Sequence, residues 1–142
     1  MKKFFSLLLL VIVISVMCLT SCTNDSSKES SLWDTATYTE DTTFGKGSKT
    51  VEVEVTVEDK SVTFTIKTDK DTLGEALLEH KLVSGEKSAY GLYIKAVNGI
   101  EADYSKTNSF WALSKDGVSL LHGADSEEIS NGAHYELVYT KE

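Results

Sequence analysis

The thiol of Cys22 is the side chain of this sequence best placed for covalent chemistry. It ends the tetrapeptide Leu19-Thr20-Ser21-Cys22, which follows a basic start and an almost unbroken apolar run over residues 4–19. Small residues before the cysteine allow a signal peptidase to cut there, and the thiol would then carry lipid. The apolar run is shorter than the roughly 20 residues that cross a bilayer, which disfavours a retained membrane anchor. The pattern therefore predicts a lipoprotein signal at residues 1–21 and lipidation of Cys22.

A lipid on Cys22 predicts an extracytoplasmic protein, facing outward and held to the cell membrane by acyl chains. The other cysteine, Cys18, lies in the predicted leader, so no thiol remains for a disulfide or a nucleophile. The chain has a formal net charge of −8 and no arginine, and loss of Lys2 and Lys3 with the leader would make this charge −10. Such an acidic surface excludes nucleic acid as an expected partner.

The remaining polar residues lack the spacing of known catalytic or metal centres. His80, His122 and His134 form no closely spaced pair of the kind that binds zinc. No serine lies in a Gly-x-Ser-x-Gly motif. The pair Glu127-Glu128 lies in polar, loop-like sequence, where a solvated surface is the favoured interpretation. We therefore expect no enzymatic activity, no metal site and no cofactor.

Aromatic side chains are the better candidates for a site. The stretch 90–111 holds five aromatic residues among glycines and asparagines, a composition typical of pocket walls and binding loops. The same side chains would otherwise fill the core. Strand alternation places Phe110 and Trp111 on opposite faces, so one is expected in the core and the other accessible. The candidate ligand contacts are Trp111, Tyr93, Asn98, Tyr90 and Phe110.

Hydrophobic patterns predict the elements that hold these residues. Valines alternate with polar residues over 49–58, and a second alternation over 62–67 predicts an antiparallel hairpin. Thr72 and Glu75 form a capping box before an amphipathic helix of about three turns, which Val83-Ser84-Gly85 ends. Short strands follow, separated by glycines. This order predicts an α+β domain in which one helix covers a mixed sheet.

The chain between the leader and this domain has a different composition. Residues 23–32 are almost entirely polar and predict a flexible tether. Trp33, Tyr38 and Phe44 follow, and this part is expected to form a short strand or an arm laid on the domain. The expected organisation is a leader at 1–21, a tether and arm at 22–46, and a folded domain at 47–142.

Five short motifs resemble the transcobalamin-type C-terminal domain family. They occur between about Val62 and Tyr139 and are Thr72-Leu73-Gly74-Glu75-Ala76-Leu77, Tyr90-Gly91-Leu92-Tyr93, Val97-Asn98-Gly99-Ile100, Phe110-Trp111 and Gly123-Ala124-Asp125. In intrinsic factor and transcobalamin the similar domain covers one face of cobalamin, while a helical barrel covers the other. The resemblance implies a small β-grasp-like domain, and this chain has no room for the barrel.

The resemblance implies a binding role. The expected function is that of a lipid-anchored, non-catalytic protein that captures cobalamin, another corrinoid or a similar small ligand for a membrane transporter. The alternative is an envelope protein–protein interaction module without a small ligand, which would use its loops or an exposed strand edge.

Overall fold

The computed structural model describes residues 30–142, so the predicted leader and Cys22 lie outside the described part of the chain. Its strands are β1 Thr42–Phe44, β2 Lys49–Val57, β3 Lys60–Thr68, β4 Val83–Ser88, β5 Gly91–Val97, β6 Ile100–Glu101, β7 Ser109–Lys115, β8 Val118–Ser119 and β9 His134–Lys141. Its helices are α1 Leu73–Glu79 and α2 Tyr104–Thr107, with short 3₁₀ helices at Leu32–Thr35 and Ala124–Ser126. Within residues 30–142, no helix has the length and hydrophobicity needed to cross a membrane.

Six strands form the larger sheet, in the order β1-β3-β2-β9-β7-β8. The predicted hairpin is confirmed as the antiparallel pair β2 and β3, with Val53 opposite Phe64. Strand β9 pairs parallel with β2 and antiparallel with β7, so the sheet is mixed. The α+β class is therefore confirmed.

The core lies on one face of this sheet. Val51, Val53, Val55 and Val57 are at most 1% exposed, because alternate residues of a strand point to the same side. Leu77 of α1 packs into the same buried cluster. Burial of each such side chain stabilises the fold by about 1.5–3 kcal/mol relative to exposure.

The helix begins as predicted and ends early. Thr72 Oγ1 accepts a hydrogen bond from the Glu75 amide, and the Glu75 carboxylate accepts one from the Thr72 amide, which is the expected capping box. The helix has two turns rather than three, because Lys81 adopts a left-handed conformation (φ 55°) just after it. Val83-Ser84-Gly85, expected to end the helix, instead begins strand β4.

A second sheet of three antiparallel strands, β4-β5-β6, adds to the single sheet expected from the sequence. The ladder between β4 and β5 shifts register between Ser84 and Gly85. A Cβ atom at Gly85 would overlap the carbonyl oxygen of Tyr93. Glycine therefore allows the close approach that places Tyr93 beside β4.

Residues 32–44 lie against the domain. Trp33 is buried, and its indole nitrogen donates a hydrogen bond to the Val57 carbonyl at 3.1 Å. Strand β1 pairs parallel with β3, and Tyr38 and Phe44 make edge-on contacts with Phe64. This segment is thus an arm that adds a strand to the larger sheet.

Candidate functional site

A cavity with a volume of about 260 Å³ lies between strand β5 of the smaller sheet and strand β7 of the larger sheet. Residues 92–94 of β5 line one side, and residues 111–113 of β7 line another. Residues 119–120 and 122–124 complete the wall, and we call this surface the Trp111 cavity. Most of its lining residues are apolar, and Ser119 and His122 are polar members.

A larger groove, with a volume of about 630 Å³, adjoins the Trp111 cavity at Tyr93. Residues 84–86, 95–96 and 101–105 form the rest of this surface, which we call the Tyr104 groove. Two of its charged groups form an ion pair: Lys95 Nζ lies 2.7 Å from a Glu86 oxygen, and this contact raises the pKa of Lys95. The groove therefore places charged side chains next to the Trp111 cavity.

Two strongly exposed apolar side chains lie in the loops beside the Trp111 cavity. Tyr90 is 90% exposed and Leu121 is 98% exposed. Asp125 holds the two loops together, since its carboxylate accepts a hydrogen bond from the Leu92 amide at 2.8 Å. A Cβ atom at Gly91 (φ 104°) would overlap that carboxylate, so glycine is required there.

Trp111 has an unusual hydrogen-bonding state. The side chain is 7% exposed, and its indole N–H is buried without an acceptor among residues 30–142. The ring packs edge-on against Tyr139 at a centroid distance of 5.5 Å. An unsatisfied buried donor costs about 1–3 kcal/mol. Such donors are rare in folded proteins.

A buried carboxylate lies behind the cavity wall. Glu127 contacts Lys115 Nζ at 2.9 Å, Tyr135 Oη at 3.2 Å and His122 Nε2 at 2.8 Å. Burial raises the pKa of Glu127, but the bonds from Lys115 and His122 outweigh it and hold the pKa below its ordinary value. The expected solvated surface is correct for Glu128 and wrong for Glu127, which is 7% exposed.

The structure brings two of the five candidate contacts into the Trp111 cavity. These are Tyr93 and Trp111, and Tyr90 lies in the adjoining turn. Phe110 lines neither surface: it is half-buried opposite Thr140 on the other face of β7.

Asn98 has a role in the fold instead. It is 1% exposed, and its amide group donates to the Tyr38 carbonyl at 2.8 Å and accepts from the Tyr38 amide at 2.9 Å. Its φ of 51° also fits the tight turn between β5 and β6. Asn98 therefore holds the arm to the domain, and its side chain is not free for a ligand.

Within the described part of the chain, no three His, Cys, Asp or Glu side chains are placed to hold a metal ion.

The sequence did not reveal Glu127 or the position of His122 beside the Trp111 cavity. The hydrogen-bond partners of Glu127 are five, eight and twelve residues away, a spacing that carries no recognisable signal.

The sequence model of a domain of unknown function, DUF4430, matches residues 70–141, and the chain belongs to this family. No curated protein matches the sequence.

Two solved structures are similar to the fold. A protein from Ruminococcus gnavus ATCC 29149, described as a "putative metal binding protein", is 34% identical with a TM-score of 0.63, over 67% of this chain and 99% of that one. Haptocorrin, in a complex with Cbi, is 21% identical with a TM-score of 0.51, over 69% of this chain and 26% of that one. The likeness to haptocorrin, a member of the transcobalamin family, supports the expected resemblance at the level of the fold.

Proposed function

We propose that this protein is a non-catalytic binding protein for a corrinoid or a similarly flat, partly apolar ligand. The observation that carries the proposal is the position of Tyr93, which lines both the Trp111 cavity and the Tyr104 groove. Because 44% of this tyrosine is exposed, it is accessible to a ligand that covers both surfaces.

The chemistry of the two surfaces suits such a ligand. A corrinoid has a flat ring with apolar faces and amide groups around its rim. The Trp111 cavity with Tyr90 and Leu121 offers apolar contact, and the Tyr104 groove offers charged side chains and hydroxyl groups. Exposed apolar groups gathered beside a cavity are typical of binding sites.

The similar structures add support. Haptocorrin was crystallised with Cbi, cobinamide, and the Ruminococcus gnavus protein carries a metal-binding description. A corrinoid ligand is consistent with both descriptions, since a corrinoid contains a metal. It also needs no cluster of protein ligands, because the four nitrogens of the corrin ring already hold the cobalt.

Calorimetric titration of the soluble chain 23–142 with cobalamin and cobinamide tests the proposal, with tryptophan fluorescence read in parallel. We expect saturable binding, and Tyr93→Ala is expected to weaken it at least tenfold because the shared wall of both surfaces is lost. A tenfold loss corresponds to about 1.4 kcal/mol. Leu78→Ala is the matched control, since Leu78 is exposed on α1 and lines neither surface.

The absence of binding up to high micromolar concentrations of ligand would contradict the small-molecule role and favour the protein-interaction alternative. The exposed strand β4 is the relevant edge for that alternative. It carries Glu86 and Lys87, and charges on an edge strand act against pairing with another chain. These charges support the Trp111 cavity over this edge as the binding surface.

We also propose that lipid on Cys22 holds the protein at the outer side of the cell membrane, where it passes its ligand to a transporter. The support is the leader pattern of residues 1–22. Cys22→Ala is expected to move the protein from the detergent phase to the aqueous phase on detergent partitioning. Cys18→Ala, within the leader, is the control and should leave partitioning unchanged; equal partitioning of wild type and Cys22→Ala would reject the anchor.

A further inference from the structure

We infer that His122 is an axial ligand for the cobalt of the bound corrinoid and that Glu127 is the residue that orients its ring. This inference rests on the proposed function and names the protein atom that would contact the metal. It begins from His122 itself, which lines the Trp111 cavity with 45% of its side chain exposed.

One ring nitrogen of His122 is already engaged. Nε2 lies 2.8 Å from a carboxylate oxygen of Glu127. An ionised carboxylate can only accept a hydrogen bond, so in the neutral imidazole Nε2 carries the proton and Nδ1 carries the lone pair. Nδ1 has no hydrogen-bond partner among residues 30–142. Histidines that bind metals commonly donate the other ring N–H to a carboxylate in this way.

The orienting carboxylate is itself fixed. Glu127 is 7% exposed and is held by Lys115 and by the hydroxyl group of buried Tyr135. The charge of Lys115 balances that of the carboxylate, so the network does not depend on a positively charged His122. A ring that is hydrogen-bonded to a fixed carboxylate loses less freedom when it binds a metal.

One histidine is enough for this purpose. The corrin ring supplies four nitrogens in its plane, and the protein needs to fill only an axial position. Imidazole nitrogen is a suitable ligand for cobalt. Neither His80 nor His134 lines the Trp111 cavity or the Tyr104 groove, so His122 is the histidine in residues 30–142 that meets this requirement.

Two forms of cobinamide provide the test. Diaquacobinamide carries exchangeable water at both axial positions, whereas dicyanocobinamide carries cyanide there and resists replacement. We expect the soluble chain 23–142 to bind the diaqua form at least tenfold more tightly and to shift its visible absorption bands. His122→Ala is expected to bind both forms equally and to leave the bands unchanged, while His134→Ala, the matched control, should behave as wild type.

The outcomes separate this inference from the proposed function. Binding of both forms with equal affinity and no band shift in the wild type would overturn axial coordination and leave the corrinoid function intact. A band shift that persists in His122→Ala would overturn the assignment to His122. Failure to bind either form would overturn the proposed function and the inference with it. Comparing two ligands within one variant removes the effect of any change in its stability.

Discussion

Asp103 shows how local hydrogen bonds set the charge of a side chain in the Tyr104 groove. Its Oδ1 accepts hydrogen bonds from the Ser105 hydroxyl at 2.6 Å and the Ser105 amide at 3.0 Å, at the N-terminus of α2. Lys106 Nζ lies 3.1 Å from Oδ2. The bonds from Ser105, followed by those from Lys106, lower the pKa of Asp103 to about 2.

This lowered pKa predicts a pH dependence. The carboxyl group titrates at 3.8 by its ordinary value and at about 2 in the folded chain, so its stabilising contribution is present above pH 3.8 and is lost as the pH falls toward 2. Asp103→Asn keeps a good cap residue but removes the charge. We expect the urea midpoint of this variant to fall less than that of the wild type between pH 6 and pH 2.5.

Asp59→Asn is the matched control, because Asp59 is exposed in the turn between β2 and β3. An unchanged pH profile in Asp103→Asn would contradict the assignment of this effect to Asp103.

Residue patterns in the sequence point to part of the candidate site. Tyr93 and Trp111 were identifiable because aromatic residues in short strands beside glycine turns are few and conspicuous. Asn98 is expected from the sequence to contact a ligand, whereas its amide group makes two hydrogen bonds to Tyr38, sixty residues away. Long-range partners of this kind leave no local pattern, and the same holds for Glu127.

Among the elements, those with strong periodicity were predicted and those without it were missed. The β2–β3 hairpin alternates over its whole length, and its register follows from burial of one face. Strand β4, with the sequence Val-Ser-Gly-Glu-Lys-Ser, has one buried residue and exposes the rest. Its hydrogen bonds to β5 define it, and an edge strand of this kind has no alternation to detect.

Helix α1 shows a second limit of predicting elements from hydrophobic patterns. Leu82 continues the apolar pattern of α1, which predicted a third turn. In the structure Leu82 is buried, but the chain has already left the helix at His80, and the Leu82 amide donates to the Leu77 carbonyl. A side chain can thus satisfy a helical hydrophobic pattern after the helix has ended.

For the molecule as a whole, the arm of residues 32–44 contributes to the stability of the fold. Trp33 is 9% exposed and packs into the common core. Trp33→Ala removes this packing and the bond to Val57, and we expect a loss of about 3 kcal/mol in the free energy of unfolding. Chemical denaturation measures it directly. Tyr90→Ala is the control, since a 90% exposed side chain should change stability by less than about 0.5 kcal/mol. Equal stability of the two variants would show that the arm is energetically independent of the domain.

The position of β9 inside the larger sheet determines when this sheet can close during synthesis. β9 lies between β2 and β7, and it is synthesised after every other strand of the larger sheet. Until β9 emerges, the β2–β3 hairpin has no partner through which to join β7, and the six-stranded sheet cannot close. Long-range pairing of this kind is slow, because the intervening loop must be ordered first. Closure of the six-stranded sheet is therefore a late step, which follows synthesis of the whole domain.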